Sequence, residues 1–92
     1  MSFERGLVVR SLSGRDKGRF FAVLSAEETQ AVIADGNLRG LDRPKRKNLR
    51  HLAKTNTILS AQALTSDEQL AAALASFEGK APGLNEGGQE LV

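Results

Sequence analysis

Two stretches of this 92-residue chain concentrate side chains suited to holding an anion rather than to reacting with one. The first is "SGRDKGR", residues 13–19. Here Arg15, Lys17 and Arg19 alternate around Asp16, and Gly14 and Gly18 flank the central residues. Guanidinium forks match phosphate oxygens bidentately, and a lysine ammonium adds a mobile point charge. The glycines open backbone conformations closed to other residues and expose N–H groups. If the loop is extended, the three cations point the same way. Asp16 is expected to fix the turn by accepting a local backbone hydrogen bond. The plain alternative is a polar turn whose charges only solubilise it. The second stretch is "DRPKRKNLRH", residues 42–51. It packs Arg43, Lys45, Arg46, Lys47 and Arg50 into eight positions, a density typical of nucleic-acid patches, with a merely solvated basic run as the alternative. Pro44 stiffens the segment, and a pre-ordered basic strand loses less entropy on binding.

Catalysis has little to work with. There is no Cys and only one His, His51, too few for a zinc site and without an evident acid to orient the ring. His51 reads as a surface or packing residue. Asp16, Asp35 and Asp42 fall in expected turns, where local hydrogen bonding accounts for them. No catalytic residue, metal, cofactor or small-molecule substrate is expected. With four Phe and neither Trp nor Tyr, the chain lacks the aromatics of a base-stacking platform, a methyl-lysine cage or a proline-peptide groove. Recognition of a folded nucleic acid by shape and backbone suits this composition better.

The formal net charge of +2 conceals an asymmetry. Residues 1–56 carry 12 Lys/Arg against 6 Asp/Glu, and residues 57–92 carry only Lys80 against five acids. A basic body followed by an acidic segment suggests a polyanionic partner for the body. No apolar run approaches the roughly 20 residues of a membrane span, and the N-terminus lacks a signal-peptide core. A cytoplasmic location is the default, and the absence of cysteine suits a reducing compartment.

The elements that must position the two basic stretches are short. "GLVVRS" (6–11) and "RFFAVLS" (19–25) read as strands, the second apolar enough to be buried on both faces. "EETQ" (27–30) connects to a third strand at 31–35, and "DGN" (35–37) signals a hairpin leading to a short fourth strand at 38–41. Residues 42–48 form a basic loop, and 49–53 a fifth strand or a single helical turn. Closely spaced strands argue for a small β-barrel. From about residue 55 the composition turns Ala- and Leu-rich. Ser66 and Gln69 form a capping-box pattern, Asp67 and Glu68 suit a helix N-terminus, and Leu70, Leu74 and Phe77 share one face of a helix over 67–78. Gly79 and Pro82 stop it. The expected organisation is a barrel over 1–60, a helical segment over 61–79 and a flexible tail over 80–92.

"GLVVRSLSGRDKGRFFAVLS", residues 6–25, resembles the KOW motif in its Gly-led valine strand, its turn glycine, its "DKG" step and its hydrophobic second strand. "AVIADGNLRGLDRPKRKNLRHL" is similar to the stand-alone bacterial KOW-domain RNA-binding proteins, themselves similar to a large-subunit ribosomal protein of archaea and eukaryotes. The resemblance covers roughly residues 5–60. It implies an SH3-like β-barrel, mainly β with about five short strands, whose loops contact structured RNA, often ribosomal RNA. It places Gly14, Asp16 and Gly18 in the structural turn and Arg15, Lys17, Arg19, Arg43, Lys45, Arg46, Lys47, Arg50 and His51 among the RNA-contacting residues. The resulting expectation is a non-enzymatic protein bound to ribosomal RNA or a ribosome-assembly intermediate, monomeric and away from membranes. Its rival is a protein-interaction module of the transcription or translation machinery, docking through the barrel or the C-terminal helix.

Overall fold

In the computed structural model, which describes residues 2–78, five antiparallel strands form one sheet. They are β1 (Leu7–Ser11), β2 (Phe20–Ala26), β3 (Gln30–Ala34), β4 (Lys45–Asn48) and β5 (Leu52–Ile58), in the spatial order β4-β3-β2-β1-β5. One helix, α1 (Asp67–Glu78), follows. The protein is thus mainly β with a C-terminal helix, as its sequence leads one to expect.

Chain connectivity forces the sheet to curl. β4 and β5 are its two opposite edges, yet only a 3-10 turn, Leu49–His51, joins them. Five strands laid flat place their outer edges about 19 Å apart, whereas three 3-10 residues advance only about 6 Å. The edges must therefore approach one another, giving a barrel-like sheet with no β4–β5 ladder among the described pairings. A backbone hydrogen bond from Leu12 N–H to the His51 carbonyl, 2.8 Å, holds the turn against the end of β1.

Alternation along the strands divides the apolar residues between two cores. Leu7, Val9, Phe21, Val23, Ala31, Ile33 and Leu52 fill one, with Phe3 and Leu49 at its margin. Val8, Ala22 and Ala34 point the other way, onto Leu64, Leu70 and Leu74. The near-continuous apolar character of β2 follows directly, because both of its faces are covered. Ser66 Oγ accepts from the Gln69 N–H at 3.1 Å, half of the anticipated capping box. Leu70 and Leu74 are buried, and the Phe77 ring lies 5.5 Å from that of Phe20. The apolar face of α1 is consumed by the sheet.

Three expectations need correction. Residues 38–41 form no strand: Asp35 Oδ1 accepts from the N–H groups of Asn37 (2.9 Å) and Arg39 (2.8 Å), drawing the chain into a compact turn after β3. The fourth strand lies instead in the stretch expected as a basic loop, at Lys45–Asn48. Charged side chains suit it because it is an edge, where they discourage pairing with another sheet. Of the two readings of 49–53, the single helical turn holds at Leu49–His51, and the fifth strand begins only at Leu52 and runs on to Ile58. Its Lys-Thr-Asn-Thr centre has strand-forming threonines but little apolar signal. The expected tail at 80–92 lies outside the described residues.

The loop between β3 and β4 is seated on the helix. Gly36 adopts φ +77°, and a Cβ there would overlap the Asp67 carbonyl oxygen and stand 2.9 Å from the Ala71 nitrogen. Asp67 Oδ1 accepts from the Leu41 N–H at 2.8 Å. Glycine at this turn is required both by its conformation and by the closeness of the helix backbone. No helix among the described residues is long and apolar enough to cross a membrane.

Candidate nucleic-acid interface

The turn between β1 and β2 is closed by backbone hydrogen bonds from Lys17 N–H to the Gly14 carbonyl (3.2 Å) and from Arg19 N–H to that of Asp16 (3.0 Å). Gly14 and Gly18 both have positive φ, +87° and +89°, a conformation that glycine adopts without steric cost. The tip is therefore coiled, not extended, and the expected alternation of cations on one side does not form. Arg15 and Lys17 are exposed, while Arg19 is half-buried. The Arg19 Nε is buried and has no hydrogen-bond partner among the described residues.

Asp16 behaves differently from expectation as well. Its side chain takes no local backbone N–H among the described hydrogen bonds; it turns inward and joins the two basic stretches. Oδ1 accepts from Ser11 Oγ (2.7 Å) and Lys47 Nζ (2.8 Å), and Oδ2 accepts from Lys45 Nζ (2.7 Å). Lys47 Nζ also donates to the Ser13 carbonyl at 2.7 Å. Strand alternation explains the pairing, since Lys45 and Lys47 lie on one face of β4 and Ser11 follows Leu7 and Val9 on the inward face of β1. Burial alone raises the pKa of Asp16. The hydrogen bonds from Lys45, Lys47 and Ser11, with the charge of Lys47, outweigh it and hold the carboxyl well below the usual range. Two ammonium groups face one carboxylate, so the cluster stays cationic.

Beyond the half-buried Arg19, the anticipated contact residues thus fall into four groups. Arg15, Lys17, Arg43 and Arg50 are exposed and, among the described residues, carry no ion pair. Lys45 and Lys47 are committed to Asp16. With a side chain only 9% exposed, Lys47 is structural rather than a surface cation. Arg46, on the other face of β4, pairs with Glu27 at 3.3 Å. His51 is half-buried and contributes its backbone carbonyl to Leu12.

One further cation has no prominence in the sequence. Arg39, exposed after the Asp35 turn, lines a pocket of about 200 Å³ together with Arg15, Asp16, Phe21, Leu38 and Lys45. Isolated among apolar and small residues, Arg39 carries no density signal; only the folding of its loop beside β4 brings it to the others. No group of three or more metal-ligating side chains occurs among the described residues. In comparisons with known proteins, no family model matches the chain and no curated protein matches it.

Proposed function

We propose that this protein binds structured RNA, ribosomal RNA or a ribosome-assembly intermediate in the cytoplasm, chiefly through phosphates and without catalysing a reaction. One observation carries the reading: the Asp16 cluster ties the β1–β2 turn to β4, and Arg15 and Arg39 stand beside this anchored, still cationic centre. The order of the scaffold matters because cations held by a rigid backbone lose less freedom on meeting phosphate. The resemblance of residues 5–60 to KOW-domain proteins supports the same class of partner. A protein-docking role for α1 is disfavoured, since its Leu70 and Leu74 face is already covered.

The test is a fluorescence anisotropy titration of the full chain against a structured ribosomal RNA fragment at several salt concentrations. Neutralising about five phosphates, one for each of Arg15, Lys17, Arg39, Arg43 and Arg50, gives a slope of log affinity against log salt of roughly −3.5 to −4.5. Affinity that ignores salt between low and physiological concentrations rules the proposal out.

A further inference from the structure

We infer that the pocket between the β1–β2 turn and the loop after β3 receives a single unstacked nucleotide of the bound RNA, an inference that rests on the RNA-binding reading above. At about 200 Å³ the pocket is smaller than the roughly 300 Å³ at which sites for whole small molecules begin. It suits one unit of a larger ligand. Its walls combine two chemistries. Arg15, Arg39 and Lys45 supply three positive charges against the one carboxylate of Asp16, which Lys47 already engages from behind. Leu38, 68% exposed, supplies apolar surface, and Phe21, itself only 1% exposed, also borders the pocket.

An inorganic phosphate would use the cations and leave Leu38 in water. An apolar side chain would use Leu38 and bury guanidinium groups without an anion. A nucleotide uses both, because guanidinium planes stack on bases as well as donate to phosphate oxygens. Arg15 and Arg39 are available for this, as neither carries an ion pair among the described residues. A continuous duplex keeps its bases stacked and cannot fill the pocket, so the occupant comes from a bulge, a loop or a strand end. Phosphate contacts then provide most of the affinity, and this pocket distinguishes interrupted helices from perfect ones.

The experiment compares two RNA hairpins with the same stem, one of which carries a single unpaired nucleotide. The full chain is expected to bind the bulged hairpin about tenfold more tightly, within the range that one base–side-chain stack provides. Leu38→Ser should erase that ratio while leaving affinity for the unbroken hairpin and the thermal melt unchanged. Lys17→Glu should weaken both hairpins equally and preserve the ratio. In NMR spectra, the Leu38 methyl signals should move with a nucleoside 5′-monophosphate and not with inorganic phosphate. Equal affinity for the two hairpins, with a steep salt dependence retained, overturns the pocket assignment and leaves RNA binding standing. Failure to bind either hairpin overturns both. A Glu-rich peptide that moves the Leu38 signals as far as the nucleotide does reassigns the pocket to a protein partner.

Discussion

At the scale of single residues, Asp16 decides how the basic surface is built. Replacing it with Asn removes the only negative charge in contact with Lys45 and Lys47 among the described residues. Losing one member of such a buried charge cluster costs about 3 kcal/mol, which for a domain of this size lowers the melting temperature by more than about 10 °C. The pH dependence has a definite sign. Because the folded carboxyl titrates below its unfolded value of about 3.9, its stabilisation is present above that value and is lost as pH falls towards the folded pKa. The difference in melting temperature between the parent and Asp16→Asn should therefore be constant from pH 5 to 7 and shrink below about pH 4. A constant difference down to the lowest accessible pH would show that Asp16 stabilises by shape rather than by charge. The basic character of residues 14–19 and 43–50 is legible in the sequence. The partnership of Asp16 with Lys45 and Lys47 is not, because it joins positions about thirty residues apart through strand alternation on a strand whose composition resembles a loop.

At the scale of elements, glycines of similar φ have different duties. Gly18, at φ +89°, has open space around its missing Cβ, whereas Gly36, at +77°, faces the backbone of α1. Gly18→Ala should cost about 1–2 kcal/mol, the left-handed penalty alone. Gly36→Ala adds an overlap with backbone that cannot yield cheaply and should cost about 2–5 kcal/mol. Chemical denaturation of the two variants reads the contrast directly, and equal costs would mean that the loop after β3 is not seated on the helix. Leu74→Ala tests the other side of the same joint. Burial at 2% exposure predicts a destabilisation of about 2–5 kcal/mol, with RNA affinity of the folded fraction unchanged because none of the proposed contact residues lies on α1. The helix is readable to its ends because capping, charge and apolar periodicity agree over 67–78. β4 and β5 are not, since one is nearly all charged and the other is polar at its centre; each is an edge, and edges carry the weakest apolar signal.

At the scale of the whole molecule, exposed charge is separable from folding. Arg15→Glu combined with Lys17→Glu changes residues outside both cores, so the thermal melt should move by no more than the equivalent of about 0.5 kcal/mol per site. RNA binding should weaken, and the salt slope should flatten by roughly one for each phosphate no longer neutralised. Glu28→Lys, which adds positive charge at the β2–β3 connection, should not weaken binding. Parent-like binding by the double variant would reduce the turn to a solvated loop. The pairing of the first strand with the last within the sheet has a kinetic corollary. β1 pairs with β2 across a short turn, but its pairing with β5 joins Ser11 to Leu52 and Leu7 to Ile58, about forty to fifty residues along the chain. That closure sacrifices the most chain entropy before any contact repays it, so β5 should add to a scaffold of β1–β4 after the rate-limiting barrier. Leu52→Ala should leave the refolding rate within about twofold of the parent and accelerate unfolding about thirtyfold. The lifetime of the folded molecule, and with it of any RNA complex it holds, is then governed by how firmly its last strand grips its first.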